Sequence, residues 1–559
     1  MASHLLRRAV EGGRYAADEL RMLLRLTRDV PAFLRQPITL AESIAWQDAR
    51  LATREQALMR VAEQQFYAIP DSPHAQLLRA AGCELGDLRV LVQQEGVEGA
   101  LAALAARGVY VTFDELKGTR EAVRGSQRFS FTLRQFDNSR VSAHFAARTG
   151  GTGGTRHRVL RSLPFLLETG YCTMTAFSAH GLLAVPQGIW LTGPVNLLLR
   201  YPKMGVPMRA WFYPLAPLPW NVRVGGWYLA ALGRLAGHRV PVPAFADIQQ
   251  PERLVRWLTD QPRKSGRICL LTTVSSAVRI AASATAAGVS LDGVVFFVRS
   301  EPYTEARQRT IEASGAQAFS SYGMTEASMI GIGCAAPSAP DDVHVMDTRY
   351  AVVQRARQQT HDAPTGRSTG DPAASAQMTA GSLDASALMV TTLSDHAPKT
   401  LLNVETGDSA LLERRACNCR LGAQGLRTHL SHIRSFEKLT GEGMTFARTN
   451  LTHVIESVLP GRFGGTSIDY QLLEQELAGG LPRLVLRVSP AVGTVDEAAL
   501  RTAFLAALAQ DGDLERYMAA FWARANTIAV ERAIPLVTAA GKVLPFHPMR
   551  AAATPSRVP

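Results

Sequence analysis

From Cys269 onward, short β-branched or aromatic runs alternate with helix-forming stretches: Cys269–Thr273, Ala277–Ala287, Val294–Val298, Tyr303–Ser314 and Ala318–Ser321. No other part of the sequence leaves so few choices of fold. Strands that recur after each helix pair through crossover connections, so the segment is expected to wind an α/β sheet, and the alternation extends over residues 140–335. Ligands of such sheets sit in loops at the carboxyl ends of the strands. Past Arg434 a smaller pattern follows: a helix near Leu451–Leu459, strands near Ile468–Leu473 and Arg483–Val488, helices over Val495–Ala509 and near Leu514–Ala523, and a strand at Thr527–Val530. The expected class is α/β, with a large N-terminal domain over residues 1–432 and a small C-terminal α/β domain over residues 433–559, roughly 125 residues and an ordinary domain size.

Composition narrows the function. A chain of 559 residues, 47% hydrophobic and 19% charged, belongs with soluble globular proteins. The most apolar stretch, Val274–Val298, is interrupted by Arg279 and Asp292 and falls short of the ~18 residues a membrane span needs. Arg7, Arg8 and Arg14 are followed by no apolar block, and Glu11, Asp18 and Glu19 oppose a transit peptide, so a cytoplasmic location is expected. The net charge of +12 favours acidic partners such as nucleotides, a nucleotide-bearing thiol or an acidic carrier protein. The arginines are scattered rather than gathered in a stripe with aromatics, which argues against a dedicated nucleic-acid binder. Leu20, Leu23, Leu24, Leu26 and Phe33 recur at helical spacing, and an amphipathic helix over residues 14–35 is expected to lie on the body, a membrane-surface helix being the alternative. Arg357–Ser386 reads as a long surface loop between strands Tyr350–Val353 and Ala387–Leu393.

Chemistry first shows at Arg148–Val159, "RTGGTGGTRHRV", with four glycines and three threonines after an apparent strand, Arg140–Phe145. Val159–Thr169 follows and is expected to be partly helical despite Pro164. Glycines let successive NH groups turn inward as an anion nest, and the threonine hydroxyls add donors. A phosphate is the natural guest, though a flexible turn has the same composition. It is not a Walker loop, which ends in Gly-Lys-Ser/Thr.

Three further stretches, "SSYGMTEAS", "ETGD" and "TAAGK", follow in order. With the Gly/Thr loop they resemble the motifs of the adenylate-forming superfamily, in the branch of phenylacetate-CoA ligases and acyl-CoA synthetases. "SEPYTEARQRTIEASGAQAF", Ser300–Phe319, and "LMVTTL", Leu388–Leu393, add to the likeness, which covers nearly everything from about residue 55. The resemblance implies an N-terminal adenylation domain, a mobile C-terminal domain carrying a catalytic lysine, and AMP-forming ligation of a carboxylic acid to a thiol. ATP, Mg2+ and coenzyme A would be required, and a carrier-protein phosphopantetheine, a cysteine on a partner protein or an amine stay open as acceptors.

Residue by residue, the resemblance gives Thr149, Gly150, Gly151, Thr152, Gly153, Gly154 and Arg156 to the triphosphate. Ser321, Tyr322 and Gly323 go to the adenine, Asp408 of Thr406-Gly407-Asp408 to the ribose, and Arg434 to ribose or phosphate at the domain hinge. Thr325 would offer a hydroxyl to phosphate, Glu326 would hold Mg2+, and Lys542 of Thr538–Lys542 would place its ammonium between carboxylate and α-phosphate. These roles suit the reaction. A carboxylate oxygen must approach phosphorus against the repulsion of two anions, which needs positive charge and a metal at the reacting centre. Each residue also has a plainer reading: Glu326 and Asp408 as turn acids, Lys542 as a solvated lysine.

Departures from the pattern are specific. Thr155 stands where lysine is usual, with Arg156 or Arg158 as replacement charges; Ser320 replaces an acid or amide; Glu437 is the single acid near the hinge. They motivate a rival reading, a nucleotide-binding partner protein without turnover. Segments Gly188–Trp190, Ala210–Tyr213 and Val274–Ala287 are expected to line an acyl pocket, which suggests an aryl or medium acyl acid.

Cys334 and His344 follow the Tyr-Gly-Met-Thr-Glu motif, and Cys417 and Cys419 follow Thr-Gly-Asp. Three thiolates and an imidazole satisfy tetrahedral Zn2+, with buried free thiols as the alternative. Similar Cys/His sets hold a structural zinc in some members of the family resembled. Cys83, Cys172 and Cys269 read as isolated core thiols.

Overall fold

The computed structural model describes residues 2–148, 158–356, 386–435, 438–441, 444–477, 479–511, 513–536, 543 and 545–547. Its centre is a ten-stranded sheet built from β1 (Gln187–Trp190), β2 (Met208–Tyr213), β3 (Pro243–Phe245), β4 (Ile268–Thr273), β5 (Val294–Arg299), β6 (Gln317–Met324), β7 (Ser328–Gly333), β8 (Val343–Val345), β9 (Asp408–Arg414) and β10 (Thr428–Ser435). The order across the sheet is β9-β10-β8-β7-β6-β5-β4-β1-β2-β3. From β6 to β3 neighbours are parallel, and from β6 to β9 they are antiparallel. The expected α/β winding is present, and β6 is the strand at which it changes hand to an antiparallel wing.

The parallel half shows why the apolar runs had to be strands. All six residues of β4 are buried, as they must be when helices cover both faces of a parallel sheet. Alternate side chains enter opposite cores: Cys269, Leu271, Val295 and Phe297 one, Ile268, Leu270, Val294 and Phe296 the other. The helix Leu163–Ala179 lies over the first, starting at the Ser162 N-cap with Pro164 harmlessly in its first turn. The helix Val274–Ala286 lies over the second, its Thr273 hydroxyl accepting from the Ser276 amide.

Three expectations are corrected. Trp190, Phe212, Tyr213 and the inner face of Val274–Ala286 form the second core, so the segments expected to line an acyl pocket are packed interior; a Cβ on Gly188 would lie 2.6 Å from the Trp257 ring. In the long helix Ala2–Arg35 the buried stripe is Met22, Leu26, Val30 and Leu34, while Leu20, Leu23 and Leu24 face outward. The four-residue repeat of the buried set keeps one face toward the body, which the leucine count alone obscured. The strand expected at Arg140–Phe145 is Phe145–Arg148, paired antiparallel with Arg158–Arg161.

Strands Tyr350–Ala356 and Ser386–Thr392 pair antiparallel, and the residues between them lie outside those described. The C-terminal region forms a second sheet from β11 (Tyr470–Glu476), β12 (Pro482–Val488), β13 (Ile528–Arg532) and β14 (Phe546–His547), in the order β13-β12-β11-β14. It has its own apolar core, including Leu472, Leu486, Phe504 and Trp522. The helix Asp513–Ala525 is two-sided: Met518 and Trp522 enter that core, while Phe521 and Ala525 enter the second core of the large sheet. Arg307 also crosses between the regions, its Nε donating to the Gly480 carbonyl at 2.8 Å. Gly480 is required there, because it sits at φ +79° and a Cβ would come 2.8 Å from the Arg307 Cα.

The facing of the first helix is testable by paired truncations. Leu34→Ala, at a site with no exposure, is expected to cost about 2–5 kcal/mol in urea unfolding. Leu24→Ala, at 61% exposure, should change stability by less than about 0.5 kcal/mol. Equal effects would refute the assignment.

Candidate active site

The Tyr-Gly-Met-Thr-Glu motif is the end of β6 and the turn into β7. The register shifts between Tyr322 and Gly323, and a Cβ on Gly323 would fall 2.0 Å from the Ser328 carbonyl oxygen. Only glycine lets the two strands close so tightly. The turn places Tyr322 and Glu326 indoors, with Ser321 and Thr325 half-buried.

Asp408 reaches this turn from a distant part of the chain. It begins β9, its backbone NH donating to the Thr406 hydroxyl at 3.3 Å, and its Oδ2 accepts from the Tyr322 hydroxyl at 2.9 Å. Burial, and then the Asp408 charge, push the Tyr322 phenol well above its ordinary pKa, so it stays a donor. Next to Asp408 on the sheet, β10 ends with Arg434 opposite Ser409 and Ser435 opposite Asp408. Arg434 is ion-paired to Asp341 at 3.2 Å. The structure thus brings Ser321, Tyr322, Gly323, Thr325, Glu326, Asp408 and Arg434 to one end of the sheet. The residue expected at the hinge is a sheet residue, and the chain leaves β10 after Ser435.

Thr149, Gly150, Gly151, Thr152, Gly153, Gly154, Arg156 and Lys542 lie outside the described residues, as do Thr155 and Glu437. The strands flanking the Gly/Thr bend are described, and they fix where its stem stands. Arg161, in the second of them, donates through Nη2 to the Thr325 carbonyl at 2.5 Å. The stem is therefore tied to the motif turn. Arg158, considered as a replacement charge, is ion-paired to Glu19 at 2.8 Å. The Ser320 hydroxyl is buried with no hydrogen-bond partner.

Several residues escaped the sequence reading. Lys117, closing the short helix Phe113–Lys117, is ion-paired to Glu326 at 2.5 Å with both side chains buried. Buried Arg161 and Arg200 each lie within electrostatic reach of half-buried Arg299 and buried Arg349. Glu168 stands 3.6 Å from Arg349. Burial pushes the Arg161 and Arg200 guanidiniums down to about 10. None of these positions has a sequence signal, because arginines are spread along the whole chain. Their meeting is a product of the fold. An interior this rich in cations suits bound phosphate or carboxylate.

On the antiparallel wing, Cys334, His344, Cys417 and Cys419 present four donor atoms within 4.8 Å of one another. Cys334 and Cys417 sulfurs are 3.4 Å apart, and His344 Nε2 is 3.1 Å from the Cys419 sulfur. His344 Nδ1 is 2.9 Å from the Leu426 carbonyl, which selects the tautomer that leaves Nε2 for a metal. Tetrahedral zinc with ~2.3 Å Zn–S bonds spaces its donors by about 3.8 Å, so the set fits.

No family model and no curated protein matches the chain. Among solved structures it is similar to an amide bond synthetase variant from Marinactinospora thermotolerans, at 14% identity over 88% of this chain and 92% of that one, with TM-score 0.36. It is also similar to an o-succinylbenzoate CoA synthetase variant from Bacillus subtilis, at 12% identity over 72% and 68% with TM-score 0.36. A Brucella canis acyl-CoA synthetase aligns at 13% identity over 84% and 75%, with TM-score 0.30. Superpositions this loose decide nothing about the chain; its own residues carry the reading.

Tyr322→Phe removes the hydrogen bond to a buried carboxylate and is expected to cost about 1.5–3 kcal/mol in chemical denaturation. A change below about 0.5 kcal/mol would show that the bond does not hold the site together.

Proposed function

We propose that the chain activates a carboxylic acid with ATP and transfers the acyl group to a thiol. A carboxylate oxygen attacks the α-phosphorus and pyrophosphate leaves; the thiol then displaces AMP from the acyl-adenylate. The observation that supports this reading is the Tyr322–Asp408 hydrogen bond, which joins two of the motifs at the turn where the stem of a third is anchored. In this reading Tyr322 lies against the adenine and Asp408, oriented by the Tyr322 hydroxyl, accepts from the ribose hydroxyls. Thr325 and the Gly/Thr bend from Thr149 to Arg156 take phosphate oxygens, with Arg161 holding the stem to the turn. Glu326, ion-paired with Lys117 here, would hold the Mg2+ of MgATP, which would supply positive charge to the phosphates. Lys542 supplies the ammonium between the two reacting anions.

Residues 1–432 would then be the adenylation domain and 433–559 the mobile one, pivoting just beyond Ser435 so that the acceptor thiol can enter. Coenzyme A is the acceptor the motifs imply, and a carrier-bound phosphopantetheine has the same thiol. A second reading, nucleotide binding without turnover, is favoured by one observation: Glu326 is closed against Lys117. Incubation with ATP, Mg2+, hydroxylamine and a panel of acids separates the two. Acid-dependent pyrophosphate release that falls at least ~100-fold in Lys542→Ala is expected. ATP binding with no release across the panel would overturn the enzymatic reading.

Cys334, His344, Cys417 and Cys419 would hold a structural Zn2+. With all four ligands from protein it offers no open position for chemistry; it pins the chain after β7 to the segment between β9 and β10. Elemental analysis should find about one zinc per chain, and a strong chelator should lower the melting temperature by about 5 °C or more while ATP binding persists at low temperature. Metal-free protein of unchanged stability would refute the site.

A further inference from the structure

Beside Tyr322 lies a cavity of about 40 Å³, bordered by Asn196 and Arg200 of the helix Val195–Lys203, by Arg299 at the end of β5, and by Ser321 and Tyr322 of β6. Its volume suits a group the size of a carboxylate. Arg200 is only 5% exposed, and its Nε has no hydrogen-bond partner. Among the described residues neither Arg200 nor Arg299 has a carboxylate partner; the group that acts on both is the Tyr201 phenol. Burial raises the pKa of that phenol, so it contributes no negative charge at neutral pH. Two guanidiniums that cannot discharge, Arg200 buried and Arg299 half-buried, therefore share one cavity wall with no carboxylate counterion among the described residues, a costly arrangement for Arg200 unless an anion completes it.

The missing anion is not accounted for by the nucleotide. The cavity borders Ser321, Tyr322 and Gly323 but not Thr325, Glu326 or Asp408, the residues read as holding phosphate, Mg2+ and ribose, and Leu271, Phe297, Met329, Ser300 and Ser328 complete its wall. Nor is it the carboxylate that reacts, since in the adenylation reading that group stands at the α-phosphorus with the residues given to phosphate and Mg2+, and neither Thr325 nor Glu326 lines this cavity. We propose that the acid substrate carries a second anionic group, which Arg200 and Arg299 bind in this cavity. The inference rests on the adenylation reading and replaces the neutral aryl or medium acyl acid expected from sequence.

The test pairs acids that differ only in the distal group, hexanoate with adipate and benzoate with isophthalate and terephthalate, on the full chain. Two readouts are taken: pyrophosphate release with MgATP, and the melting temperature with the acid alone. At least one diacid is expected to exceed its monoacid by about 10- to 100-fold in kcat/KM and to raise the melting temperature. Arg299→Met should abolish both preferences, and Arg299→Lys, which keeps the charge, should retain part of each, which excludes misfolding as the cause. Monoacids turned over as well as diacids, with no effect of Arg299→Met on the ratio, would overturn the second anionic group and leave adenylation standing. A diacid-dependent stabilisation lost in Arg299→Met, with no pyrophosphate from any acid, would overturn adenylation and keep the anion site. Neither turnover nor stabilisation would overturn both.

Discussion

The hydroxyl of Tyr322 donating to Asp408 spans 86 residues of sequence and joins the two halves of the central sheet. Tyr322 ends the last strand of the parallel half; Asp408 starts the far edge strand of the antiparallel wing. Neither group would be tolerated alone at this depth. A buried carboxylate without a donor is driven to protonate, and a buried phenol without an acceptor forfeits the hydrogen bonds it made to water. Their pairing ties the edge strand of the wing to the turn that carries Thr325 and Glu326. Gly323 is its geometric condition, since any side chain there would strike the backbone of β7.

Charge gives the site its character. Lys117 and Arg161 face Glu326 and Arg349 faces Glu168, while Arg200 and Arg299 meet no carboxylate among the described residues. An interior so unbalanced is held in place by the surrounding cores and suits anions from outside. Lys117 on Glu326 keeps one carboxylate neutralised while no metal competes for it, and Arg161 ties the hairpin stem to the turn through the Thr325 backbone carbonyl rather than through a side chain. The Cys/His cluster lies at the other end of the same wing strands and would brace them without entering the chemistry.

Much of the fold was legible because its periods are strong. β4 and β5 are uninterrupted apolar runs, and an uninterrupted run is what a strand buried on both faces requires. The C-terminal elements were legible for the same reason, within a few residues at their ends. The first helix was legible as a helix and misread as to its face, because Leu20, Leu23 and Leu24 are the outward residues of a stripe whose inward members include Met22 and Val30. The acyl pocket was misplaced for a related reason: Trp190, Phe212 and Tyr213 have the composition of a ligand wall and of a core alike, and only packing tells them apart.

What the sequence by itself determined is the α/β winding, the order of the motifs and the identity of the side chains proposed for phosphate, ribose and zinc. These follow from local periodicity and from residue type, which require no knowledge of distant neighbours. Only the tertiary structure decided that Tyr322 meets Asp408, that Lys117 closes on Glu326, that four cysteine and histidine donors converge, and that Arg200 and Arg299 share a cavity with no carboxylate counterion among the described residues. Each of those is a relation between residues far apart along the chain, set by how strands order across a sheet and which faces helices cover. Nothing in the local pattern of an arginine or a lysine records which partner the fold will bring to it.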